Sequence, residues 1–167
     1  MQKLMVLEKT MLSAADHTFT LTLRTGMRSK FKSGDLLAVY PEGNGRERFY
    51  SISKSHGNIE LVVKLHQPGF GSEYLYGLKA GTIIKARITP NPTFHFPKKA
   101  PAVAMIANGT GIAPFLGMIE SNKCKTECHL YCGFRNETTA VTGYKLFAHE
   151  HLKKQKLNSF NVAFSRE

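Results

Sequence analysis

The sequence predicts a small antiparallel β-barrel followed by a partial parallel α/β unit. Two observations carry this. Up to residue 98, short runs of alternating apolar and polar residues are separated by Gly, Asn, Asp and Pro turns. After that, strand patterns alternate with helical ones, as in a parallel α/β unit. The proline-rich stretch 90–97 lies between the two patterns. A boundary near 97–100 therefore divides 1–98 from 99–167. With 167 residues, 42% of them hydrophobic, the chain is long enough for one large domain or two small ones with a real core.

Residues 2–9 read as the first strand. Thr18–Arg24 places Phe19, Leu21 and Leu23 on one face of a half-buried strand. Ser33-Gly34-Asp35 forms a turn, Leu36–Tyr40 is an apolar strand stopped by Pro41, and Gly43-Asn44-Gly45 is a second turn. Arg48–Ser53 reads as one strand, and His56-Gly57-Asn58 turns the chain into Ile59–Leu65. Ile83–Thr89 alternates Ile84, Ala86 and Ile88 against Lys85, Arg87 and Thr89. These six strands suggest the barrel. Between the last two lies Gly69-Phe70-Gly71-Ser72, then a helix over Glu73–Leu78 with Ser72 as N-cap.

In the second half, strand 102–107 turns on Asn108-Gly109-Thr110-Gly111 into a helix over 113–121, with Pro114 in its first turn. Strand 128–134 is followed by a helix over 143–154, in which Leu146, Phe147 and Leu152 are expected to face the core. Strand 160–165 follows.

The net charge of +11 favours acidic partners. Three cysteines do not suggest a disulfide framework, and a reducing compartment is expected, the cytoplasm or the cytoplasmic face of a membrane if the parent protein is fused to a membrane domain. Cys128 and Cys132 fall on one strand face but far apart, and Cys124 completes no metal-ligand spacing, so no metal is expected. Residues 100–119 carry no charged side chain, but the Asn-Gly-Thr-Gly break and Pro114 argue for a buried strand, turn and helix rather than a membrane span. Nucleic-acid binding is not expected, because no array of stacking aromatics lies along a basic strand face.

Four groups of residues carry chemistry. A strand, a glycine turn and a helix N-terminus at Gly109, Thr110 and Gly111 form an anion site, suited to the phosphate of a nucleotide. On strand 48–53, Arg48 and Tyr50 share one face and Ser51 takes the other. An aromatic ring beside a guanidinium and a hydroxyl suits a flat ring system bearing a phosphate. The loop at Gly69–Leu75 and the helix after it could hold a second phosphate. Ser165-Arg166 lies at the carboxyl end of a parallel strand, where an arginine can accommodate a 2′-phosphate.

In this order, the residues resemble the ferredoxin–NADP reductase superfamily. Gly34-Asp35, Arg48-Phe49-Tyr50-Ser51 and Gly69-Phe70-Gly71-Ser72 match its flavin-domain motifs. Gly109–Phe115, Tyr131–Arg135 and Ala163–Glu167 match its nicotinamide-domain motifs. The last is most similar to the C-terminal reductase portion of diflavin enzymes, such as sulfite reductase flavoprotein and cytochrome P450 reductase. The resemblance implies FAD, with FMN as the lesser alternative, and NADPH. It implies that Arg48 pairs with a flavin phosphate, Tyr50 stacks on the flavin ring, and Ser51 hydrogen-bonds near flavin N5. It gives Phe49 and Gly69 to the same flavin site. It assigns the FAD pyrophosphate to the Gly71 and Ser72 N–H groups, the NADPH pyrophosphate and nicotinamide side to Gly109, Thr110 and Gly111, and the 2′-phosphate to Ser165 and Arg166. Arg135 belongs to the matched motif without a defined role.

The implied activity passes a hydride from NADPH to FAD, then single electrons to an acidic carrier such as flavodoxin, ferredoxin or a fused redox domain. The family continues past its Ser-Arg-Glu motif with more strands of the nicotinamide domain. The resemblance thus implies an incomplete nicotinamide site and an exposed apolar sheet edge at strand 102–107, open to pairing. A flavin-binding fragment without turnover of its own is the alternative expectation.

Overall fold

The structure, a computed structural model, describes residues 1–26, 29–41, 46–97, 99–123 and 126–166. The expected turn at Gly43-Asn44-Gly45, together with Cys124 and Glu167, lies outside them.

Among the described residues, seven strands form one antiparallel sheet rather than six. They are β1 (Gln2–Ser13), β2 (Thr18–Arg24), β3 (Leu36–Val39), β4 (Arg48–Ser51), β5 (Ser53–Ser55), β6 (Asn58–Lys64) and β7 (Ile83–Thr89), in the order β4-β3-β7-β1-β2-β6-β5. The extra strand comes from a break at Ile52 in the run expected as one strand. Ile52 N donates to Asp35 O (2.8 Å) and Ile52 O accepts from Gly34 N (2.9 Å), while its side chain is fully buried. The chain thereby passes from one edge of the sheet to the other. β4 pairs with β3 and β5 pairs with β6, so the curled sheet brings its two edges together at Ile52. Phe19, Leu21, Leu23, Leu37, Ile59 and Leu61 fill the interior. β1 runs beyond residue 9 because irregularities between Val6 and Glu8 and between Met11 and Ser13 keep it paired with β2 where simple alternation fails.

Three parallel strands, β8 (Ala102–Asn108), β9 (Glu127–Phe134) and β10 (Ser159–Phe164), form a second sheet in the order β10-β9-β8. A 3-10 turn (Gly109–Ile112) joins β8 to the second helix, α2 (Ala113–Ser121). That helix starts at the expected residue, with Pro114 in its first turn. α3 (Thr139–Lys153) begins four residues before the expected start, where the Thr138 hydroxyl accepts from Val141 N (3.4 Å). Its buried stripe is Ala140, Tyr144, Ala148 and His151, which leaves Leu146 and Leu152 exposed, contrary to expectation. Phe147 is half-buried and stacks on His151 at 4.0 Å.

Both helices cover the face bearing Met105, Leu130 and Cys132. The opposite face is open, with Ile106 77% and Tyr131 43% exposed, and β8 forms an edge. Cys128 and Cys132 are buried on one face, as expected, and burial raises both thiols, Cys132 to about 12. No helix among the described residues is long and apolar enough to cross a membrane.

The two sheets share a tight interface. α2 lies against β5, where a Cβ on Gly117 would fall 2.4 Å from Ser33 Oγ and 2.7 Å from Lys54 N. Val62 of β6 reaches into the second core, and Thr139 Oγ1 donates to Leu12 O (2.6 Å). The proline-rich stretch is clamped to the barrel through Asp35. Its buried carboxylate accepts from Lys32 N (2.8 Å) and Asn91 N (2.9 Å), and His95 Nε2 lies 2.6 Å from it. Burial opposes ionisation of Asp35, but His95 and the two N–H groups outweigh it and hold the carboxyl below its ordinary range.

Candidate functional site

The edge strand β4 places Arg48 and Tyr50 side by side, against the first turn of α1 (Phe70–Gly77). The contact is closest at Gly71. A Cβ there would lie 2.5 Å from Tyr50 Oη and 2.9 Å from Arg48 Cγ, so only glycine lets the helix start approach the strand. α1 begins three residues before the expected start and has Gly69, not Ser72, at its N-cap position. The Ser72 hydroxyl is engaged elsewhere. It accepts from His66 N (3.0 Å) and donates towards His66 O (3.2 Å), tying the incoming loop to the helix. The first intrahelical bond is Glu73 N→Gly69 O (2.9 Å), so the helix itself leaves the preceding N–H groups of Phe70, Gly71 and Ser72 unpaired. Burial pushes the Tyr50 phenol up, against the pull of the Arg48 charge, so it stays neutral over the physiological range.

A cleft of ≈ 600 Å³ runs along this strand–helix contact. Arg48, Phe49, Tyr50, Ser51, Gly69, Gly71 and Ser72 line it, with Thr110 and Gly111 from the α/β side. A second cleft of ≈ 660 Å³ lies over the carboxyl ends of β8, β9 and β10, where open α/β sheets bind ligands. Gly109, Thr110, Arg135 and Arg166 line it. The two clefts meet at Thr110, Lys64 and His66, which line both. The structure thus brings every expected site residue to one of two joined clefts except Ser165. Ser165 is exposed, lines neither cleft, and donates its N–H to Phe134 O (3.0 Å).

Lys64, His66, Asp16, Asn136 and Tyr144 also line the clefts but were not singled out from sequence. Lys64 merely ends an apolar strand, and Asp16 sits in the β1–β2 turn. Only the pairing of β2 with β6 brings Lys64 Nζ to 3.2 Å from Asp16 Oδ2. Burial works to raise the Asp16 carboxyl, but Ser13, Lys64 and Thr18 together lower it. Tyr144 stacks on Phe134 at 5.8 Å to form an apolar wall, and burial raises its phenol strongly.

The donor set fits a flavin with a phosphate chain: a half-buried guanidinium, a neutral aromatic ring, and helix-start N–H groups on a glycine cradle. Among the described residues, no three or more of His, Cys, Asp and Glu are grouped so as to hold a metal ion.

The family model described as "Oxidoreductase FAD-binding domain" matches residues 3–96, and "Oxidoreductase NAD-binding domain" matches 105–167. NADPH–cytochrome P450 reductase of Salmo trutta is 37% identical over 135 residues, covering 72% of this chain and 20% of that protein. NADH–cytochrome b5 reductase 1 of Cryptococcus neoformans is 35% identical over 94 residues, covering 53% and 32%. The chain therefore spans a third or less of these curated relatives. Among solved structures, ferredoxin–NADP+ reductase from Plasmodium falciparum superposes with a TM-score of 0.81 at 22% identity, covering 98% of this chain and 70% of that one. An antiparallel sheet with an FAD-domain match, followed by a parallel one with an NAD-domain match, makes this chain a member of the ferredoxin–NADP reductase superfamily.

Proposed function

We propose that the chain is an NADPH-dependent flavin oxidoreductase module, with FAD held by residues 1–98 and the nicotinamide nucleotide by 99–167. The observation that carries the reading is the meeting of the two clefts at Thr110. A ring held on Tyr50 and a nucleotide held on the Gly109–Gly111 turn would there share one space. Bound flavin would supply the hydride and electron chemistry. The chain's own residues bind and orient. The Arg48 fork pairs with a flavin phosphate, and the Gly71 and Ser72 N–H groups take the pyrophosphate. Tyr50 offers its ring face to the flavin, and the Ser51 hydroxyl donates to it. Phe49 and Gly69 shape the same cleft. Gly109, Thr110 and Gly111 receive the nucleotide's pyrophosphate, which fixes the orientation that proximity catalysis needs. Two cationic side chains, Arg135 and Arg166, on one cleft wall support NADPH over NADH, with Ser165 assigned beside them.

The net charge of +11 supports an acidic one-electron carrier, such as flavodoxin, ferredoxin or a fused redox domain, as the recipient. Buried free cysteines support a reducing, cytoplasmic setting. A second reading is flavin binding without turnover by this chain alone. The open face of the parallel sheet, with exposed Ile106 and Tyr131, favours it; pairing at the β8 edge is the corresponding hazard.

The test is a visible spectrum of the chain loaded with FAD and desalted, repeated after anaerobic NADPH addition. A retained flavin that bleaches supports the reductase. A retained flavin that does not bleach favours the second reading. A folded but colourless protein overturns the flavin assignment.

A further inference from the structure

We infer that Asn136 is a positioning residue for coenzyme selection, holding Arg135 and Arg166 together so that both guanidinium groups can take one phosphate monoester. This rests on the NADPH reading above. β9 and β10 end at Phe134 and Phe164, yet their pairing continues for two residues through Ser165 N→Phe134 O and Arg166 N→Arg135 O, both 3.0 Å. Asn136 closes this extension. One end of its carboxamide lies 2.8 Å from Arg135 O and 2.9 Å from Arg166 O; both are acceptors, so the amide is assigned with its nitrogen facing them and donating to each. One side chain thus grips the backbones of the two arginines that line the larger cleft.

The neighbouring carboxylate does not compete for the arginines, because Glu137 pairs with Lys145 at 2.8 Å. Adjacent paired strands hold their backbones about 4.8 Å apart, whereas frayed ends would let two long side chains drift independently. A phosphate monoester presents three terminal oxygens and close to two negative charges, enough acceptors for two planar donor forks. A ribose hydroxyl carries no charge and offers a single acceptor oxygen, too little for two donor forks. Asn136 therefore acts on the phosphorylated nucleotide and leaves the unphosphorylated one nearly untouched.

The test is calorimetric titration of the FAD-loaded full chain with 2′,5′-ADP and, separately, 5′-AMP. The wild type is expected to favour 2′,5′-ADP. Asn136→Ala should weaken 2′,5′-ADP by about tenfold and 5′-AMP by no more than about twofold, from loss of two hydrogen bonds that position charge. Flavin retention should be unchanged. Asn136→Ser, which keeps one donor, should retain part of the preference. Undiminished preference in Asn136→Ala overturns the inference alone, as does an equal loss for both ligands. A wild type that does not discriminate overturns the NADPH reading together with the inference.

Discussion

Arg48 and Tyr50 are two residues apart on a strand, so both side chains leave the backbone on one side. Gly71 completes the pair by letting the helix start press against them. Arg48→Ala should weaken flavin binding by at least about tenfold, since a charge-assisted hydrogen bond to phosphate is worth roughly 1.5–3 kcal/mol. Fluorescence titration with FAD checks this, and unchanged affinity would remove Arg48 from the site. On the proposed NADPH reading, Arg166→Glu should shift the coenzyme ratio towards NADH without altering flavin retention; steady-state kcat/KM for both coenzymes measures it. An unaltered ratio would make Arg166 a surface residue. At this scale the sequence identified residues on the strand and the turns, where spacing alone sets direction. Lys64, His66 and Asn136 escaped it, because each gains its place only from a partner distant in the chain.

At the scale of elements, the clamp on the linker depends on the Asp35 carboxylate. Its pKa is lowered in the folded chain. Its contribution is therefore complete above the ordinary carboxylate value of about 3.9, and is lost as pH falls through that value towards the lowered one. Asp35→Ala should cost about 2 kcal/mol at pH 7, because buried N–H groups lose their acceptor. The variant should also lose less further stability than wild type on acidification to about pH 3. Urea melts at both pH values test this; parallel losses would assign the acid sensitivity to other groups. Strands with clean alternation, β2 and β7, were legible to within a residue. Helix starts were harder. α1 begins at Phe70, with its first bond Glu73 N→Gly69 O and the Ser72 hydroxyl bonded to His66 rather than capping, and α3 begins early at a threonine cap that precedes the periodic stretch.

For the whole molecule, the proposed function depends on holding the two sheets so that their clefts join. Gly117 sets that distance, because any larger side chain meets Ser33, Ser53 and Lys54 across the seam. Gly117→Val should cost roughly 1–3 kcal/mol by overpacking. Because α2 follows directly from the Thr110 turn, the same change should weaken nucleotide binding more than flavin binding. Thermal melts and paired titrations test both parts, and equal loss of both ligands would place the damage in the barrel instead. The net charge of +11 adds a kinetic expectation to the proposed function: if the recipient is the acidic carrier proposed above, its reduction slows steeply as salt rises, since exposed charges are screened over about 8 Å at physiological ionic strength.

Local chemistry was sufficient to show which stretches are strands, where a phosphate could meet a glycine turn, and which arginine, tyrosine and serine share a strand. Those properties follow from spacing and from the conformational limits of neighbouring residues. The tertiary structure alone decided that the strand breaks at Ile52, that two separate motifs open into joined clefts at Thr110, and that Asn136 spans two arginine backbones. Each of these depends on contacts between residues far apart in the chain, where packing and the need to satisfy backbone hydrogen bonds outweigh local preference.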